Sequence, residues 1–191
     1  MARTVDIDLL RHGETEGGQR YCGTTDILLT AAGWDQMWGT VGNECHWDVV
    51  VSSPLKRCAE FARALAQRHS LELQIDERLR EMHFGAWEGR NAAELMQTDA
   101  DNLTRFWRDP VRHSPTDGES VVALQSRVMA AWRDATAQCR AALIVTHGGP
   151  IRTILCHLRG VSLAESLQID VPLASLWHMQ IQTAAVRGAT V

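Results

Sequence analysis

The sequence predicts a three-layer α/β/α sandwich with a mostly parallel central sheet, and three observations carry that expectation. First, short Val/Ile/Leu-rich runs at Val5–Leu10, Asp48–Ser52 and Ala142–Thr146 read as strands buried on both faces, as parallel strands are. Second, helical apolar stripes lie between and after those runs, so strands and helices alternate. Third, each run ends in a polar group rich in Gly, Pro, His or Arg, where a chain leaving a strand turns toward a helix.

Taken in order, the first run ends in Leu10-Arg11-His12-Gly13-Glu14-Thr15. The second passes through Ser52-Ser53-Pro54 into a stripe of Leu55, Ala59, Ala62, Leu65 and Ala66, with Ser53 as helix cap and Pro54 as first helical residue. Leu73–Ile75 is a weaker strand candidate. Residues 90–117, rich in Trp and Arg, are expected to form helices or a loop that covers one edge as a cap or lid. Val121, Leu124, Val128, Trp132 and Ala135 make a second stripe just after Gly118. The third run meets Thr146-His147-Gly148-Gly149-Pro150, and Gly149-Pro150 opens a helix to about Leu158. Leu173–Ile181 adds a later strand. With no repeat, linker or low-complexity tract, residues 1–191 read as a single domain.

Bulk composition narrows the class. Hydrophobic residues at 45% and charged residues at 22% are ordinary for a globular chain. A net charge of −4 argues against a nucleic-acid partner, which asks for a basic face. No apolar run is long enough for a signal peptide or a membrane span. The five cysteines are scattered and never spaced C-x-x-C, which argues for a reduced, cytoplasmic protein without a zinc framework.

Ligands of open α/β sheets bind outside the carboxyl ends of the strands. Arg11, His12, Arg57 and His147 would meet there, beside helix amino termini that favour anions. Guanidinium forks match phosphate oxygens, so the expected chemistry is phosphoryl transfer on a small phosphorylated metabolite.

Arg11-His12-Gly13-Glu14-Thr15, then Leu29-Thr30-x-x-Gly33, Ser52-Ser53-Pro54-Leu55-Lys56-Arg57, Glu81 with Phe84-Gly85-x-Trp87-Glu88-Gly89, Gly118-Glu119-Ser120 and Thr146-His147-Gly148-Gly149 resemble, in that order, the histidine phosphatase superfamily with its phosphoglycerate-mutase-like fold. The stretch Glu81–Gly89 looks most like the α-ribazole phosphatase branch of cobalamin nucleotide-loop assembly. The resemblance implies a phosphohistidine on His12, Arg11, Arg57 and His147 as phosphate-binding residues, and no metal or other cofactor. Glu81 is the expected general acid and base, although spacing alone leaves Glu77 open and Glu14 and Glu88 as weaker rivals. The alternatives are a phosphoglycerate mutase, a broad sugar-phosphate phosphatase, or a catalytically silent binder of phosphorylated ligands. Many relatives carry Asn in place of Gly18, so one phosphate donor is missing here. Trp38 and Trp132 read as core, Trp107 as core or as part of a substrate-facing lid, and Cys22 and Gly23 as backbone contacts for substrate.

Overall fold

In a computed structural model, residues 3–183 are described. Five strands form one sheet: β1 (Arg3–Arg11), β2 (Val49–Ser52), β3 (Glu72–Ile75), β4 (Ala141–Thr146) and β5 (Leu176–Thr183), in the order β3-β2-β4-β1-β5. The first four run parallel, and β5 lies antiparallel on β1 with Asp8 opposite His178. Helices α1 (Ala31–Val41), α2 (Lys56–His69), α3 (Ala92–Thr98), α4 (Ala100–Arg108), α5 (Val121–Gln138) and α6 (Gly148–Arg159) complete the fold.

β2 and β4 are buried along their whole length because helices cover both faces. On one side Val5, Ile7, Leu9, Val51 and Ile144 pack with residues of α5, α6 and the α3–α4 pair. On the other Leu10, Val50, Leu143 and Val145 pack with α1 and α2. The three-layer expectation therefore holds.

Some local details differ from the sequence reading. α2 starts at Lys56 after an extended Leu55, and the one backbone N–H bonded to the Ser53 hydroxyl is that of Leu55, ahead of the helix. Ser53 is thus held at the strand end, where it serves His147 instead of the helix. The last strand starts at Leu176, three residues later than expected, after a left-handed turn at Ala174. Helix α1 was not anticipated beyond the helical spacing around Trp38. Its start is Thr30, whose hydroxyl accepts the Gly33 N–H at 3.0 Å. Among the described residues, no helix is long and apolar enough to cross a membrane.

Candidate active site

The order β2-β4-β1 sets three strand ends side by side, with Ser52 against Val145 and Arg11 against Thr146. The residues after those ends therefore converge. The His12 and His147 rings stand 5.3 Å apart edge to face. Arg57, in the first turn of α2, reaches His147 Nδ1 from its Nε at 3.2 Å. A cleft of about 450 Å³ opens over this cluster, lined by Arg11, His12, Arg57, Glu81, Gly18 and Arg152 among others.

Two glycines make the turn after β1 possible. A Cβ on Gly13 would sit 2.2 Å from the Gly33 carbonyl oxygen, and one on Gly33 would sit 2.1 Å from that of Glu14. The first turn of α1 thus packs backbone to backbone on the loop carrying His12, which links the blocks at 11–15 and 29–33.

The tautomer of His12 follows from its neighbour. Nδ1 lies 2.8 Å from the Gly13 carbonyl, which can only accept, so Nδ1 carries the proton and Nε2 keeps its lone pair. Burial, then Arg57 and more weakly Arg11, lowers the His12 pKa to about 3 against the hydrogen bond to Gly13. Desolvation thus outweighs the arginines.

His147 is wholly buried, and its ring sits behind the cleft wall. Its Nδ1 accepts from Arg57, so the proton sits on Nε2 and is donated to Ser53 Oγ at 2.7 Å. Burial first, then Arg57, holds it well below the ordinary imidazole value. That shift favours the neutral ring.

Arg57, at 1% exposure, is fixed by the carbonyls of Thr25, Cys22 and Gly23 at 2.9, 2.8 and 2.8 Å. Cys22 and Gly23 therefore spend their carbonyls on Arg57. Arg11 donates from one Nη to the Val171 carbonyl, and its Nε is buried without a partner. An unpartnered guanidinium N–H beside His12 is a vacancy that a phosphate oxygen fits. Burial lowers the Arg11 pKa, opposed by Glu81 and reinforced by Arg152.

The four candidate carboxylates take different positions. Glu81 lines the cleft and accepts from the Met82 N–H at 2.8 Å and the Gly149 N–H at 3.1 Å, at the start of α6. A Cβ on Gly149 would come 2.2 Å from Glu81 Oε1, so that glycine makes room for the carboxylate. Glu77 is exposed and paired with Arg80. Glu14 lies on the rim of the cleft and accepts from the Thr30 hydroxyl at 3.1 Å.

Glu88 has a role that sequence reasoning missed. It accepts from the N–H groups of Gly23, Thr24, Thr25 and Phe84 and from the Thr25 hydroxyl, at 2.6–3.3 Å. Burial would raise its pKa, but the bonds from Thr25, Phe84 and Thr24 win and hold it below the ordinary carboxylate value. By folding residues 23–25 it aims the carbonyls that grip Arg57. The Trp87-Glu88-Gly89 block was the available signal.

A second cavity of about 260 Å³ adjoins the first, sharing Tyr21, Glu81, Phe84 and Arg152 with it. Its walls are Phe84, Phe106, Trp107, Val121, Leu124 and Leu167. Trp107 is half exposed and donates from Nε1 to the Tyr21 hydroxyl at 3.2 Å. Trp87 is core, and its Nε1 donates to Asp99 at 2.8 Å.

Comparison with known proteins fits this geometry. The model of the histidine phosphatase superfamily (branch 1) matches residues 7–188. The adenosylcobalamin/α-ribazole phosphatase of Escherichia coli is 31% identical over 91% of this chain and 83% of its own. Phosphoserine phosphatase 1 of Hydrogenobacter thermophilus is 29% identical over 92% of this chain and 87% of its own. The solved mycobacterial glucosyl-3-phosphoglycerate phosphatase superposes with a TM-score of 0.80 at 27% identity, over 91% of this chain and 89% of that one.

Proposed function

We propose a substrate class from one premise: the chain belongs to branch 1 of the histidine phosphatase superfamily and is a phosphoric monoester hydrolase. The substrate is a small phosphomonoester whose alcohol carries a planar, apolar group, and α-ribazole 5′-phosphate is the best fit. The observation that carries this reading is the aromatic cavity joined to the phosphate cleft at Glu81. A flat apolar base would stack among Phe84, Phe106 and Trp107 while its phosphate rests by His12.

In the proposed reaction His12 Nε2 attacks phosphorus as the bond to the alcohol oxygen breaks, and Glu81 in its acid form gives that oxygen a proton. Water then attacks the phosphohistidine, Glu81 takes its proton, and the N–P bond breaks to free phosphate and His12. Arg11 and Arg57 bind the equatorial oxygens, where charge spreads in the transition state. His147 adds a donor once its Nε2–H turns from Ser53 to phosphate. The five cysteines are all free, which supports a cytoplasmic setting.

One observation favours a second reading. Arg152 lies where the two cavities meet, and a cation there suits an acidic alcohol such as phosphoserine or a phosphoglycerate. A mutase would use the same contact. Phosphate release from α-ribazole 5′-phosphate, phosphoserine and 3-phosphoglycerate separates these readings. At least tenfold higher kcat/KM on α-ribazole 5′-phosphate is expected; a preference for an acidic substrate replaces the first reading with the second.

A further inference from the structure

Away from the phosphate cleft, Asp8, His46 and His178 bring three ligand atoms within 4.8 Å of one another, and we infer that they form a site for a divalent transition ion such as zinc. None of the three lines the His12 cleft.

Asp8 is a β1 residue at 2% exposure, a poor place for a carboxylate without strong partners. One partner is internal: Trp47 donates from Nε1 to Oδ2 at 2.8 Å. The other two are imidazoles from separate elements. His46, in the loop before β2, puts Nε2 3.0 Å from Oδ2, and His178 on β5 puts Nδ1 2.8 Å from Oδ1. Register fixes the second contact, since Asp8 and His178 are directly opposed across β1 and β5.

The donor set is borderline-soft nitrogen with one carboxylate oxygen, which suits zinc, cobalt or nickel more than magnesium or calcium. A tetrahedral ion at about 2.1 Å from each ligand sets ligand atoms roughly 3.4 Å apart, so the present contacts open by about half an ångström. Water takes the remaining position, because the two imidazoles are mostly exposed, at 57% and 61% of their side chains. Trp47 supplies the outer-shell donor that orients the carboxylate. Binding replaces the ring protons that now face Asp8, and ties the edge strand β5 and the loop before β2 to β1.

The test uses tag-free, metal-stripped full chain titrated with zinc and, for its visible spectrum, cobalt. Expected are a tight site of one ion per chain, a rise in Tm with zinc, and tetrahedral cobalt absorption. His46→Ala and His178→Ala should each weaken that site at least tenfold and remove the Tm rise, with turnover of p-nitrophenyl phosphate unchanged. Both variants alter exposed side chains, so folding should survive. Absence of a tight site in the parent chain, or an unchanged site in both variants, would overturn the assignment.

Discussion

The two halves of the active-site cleft are built on different principles. At the phosphate end, polar groups are buried and almost every donor is already committed: Arg57 to three carbonyls and His147, His147 to Ser53, His12 to Gly13. Preorganisation of this kind holds Arg57 and the His12 ring in place as charge develops on phosphate. The other half is a mostly apolar wall from the Tyr21 loop, the Phe84 turn, α4, α5 and Leu167, in which Trp107 donates to Tyr21. In the proposed function the rigid polar end would carry the chemistry, and the wall of separate segments would select the alcohol. Changes at the first should therefore cost turnover on every substrate, and changes at the second should cost it selectively.

The largest effect is expected at His12. His12→Ala should reduce kcat by about 10⁴-fold or more on all substrates, as loss of a nucleophile does, while thermal unfolding still shows a folded chain. Rapid quench of the parent enzyme should trap an acid-labile phosphoenzyme. Near-parental rates in the variant would break the comparison outright.

Glu81 stands where the halves meet, so its loss should be both large and dependent on the leaving group. General acid catalysis is worth about 10² to 10⁴ in rate, so Glu81→Gln should lose that much on an alkyl phosphate and much less on p-nitrophenyl phosphate. A burst of p-nitrophenol should appear if phosphohistidine hydrolysis becomes limiting. Glu77→Gln should do little. The reverse pattern would show that the carboxylate is misassigned.

Glu88→Gln probes preorganisation itself. A neutral amide cannot hold the N–H groups of residues 23–25 as the carboxylate does, so Arg57 loses its frame. Misplacement by about 1 Å can cost on the order of 10²-fold, and a loss of about 10- to 100-fold in kcat/KM is expected. The inhibition constant of inorganic phosphate should weaken in parallel on every substrate. A loss confined to thermal stability, with phosphate affinity intact, would make Glu88 a scaffold residue only.

The selective half is tested by Trp107→Ala. Loss of one stacking face should raise KM for α-ribazole 5′-phosphate by about tenfold, consistent with roughly 0.5–1.5 kcal/mol for an aromatic pair beyond burial. KM for phosphoserine should hardly change. Equal losses on both would erase the distinction between the halves.

The smallest signal is one that should not move. With its pKa lowered from 6.5 to about 3, His12 stays neutral in the folded enzyme between those values, while the unfolded chain takes up a proton there. The stability this shift contributes is therefore full above pH 6.5 and is lost as pH falls toward about 3. Nitrogen NMR should find the His12 ring neutral at pH 5; protonation between pH 5 and 7 would contradict the buried geometry.

Much of the phosphate end was legible in the sequence because its parts are local. Arg11, His12 and Gly13 are consecutive, Arg57 sits in the first turn after a strand, and apolar runs announce the buried strands that carry them. The sequence by itself therefore determined the α/β class, the strand-end cluster and the resemblance that named its chemistry. Only the tertiary structure brings Glu81 into the cleft at the start of α6 and leaves Glu77 exposed beside Arg80. It also sets Glu88 on the residues that frame Arg57, bonds His147 to Ser53, and runs β5 antiparallel. The meeting of Asp8 with His46 and His178 is likewise a product of sheet register and loop path. Such contacts join residues far apart in the chain, and burial and hydrogen-bond partners exist only once those segments have packed.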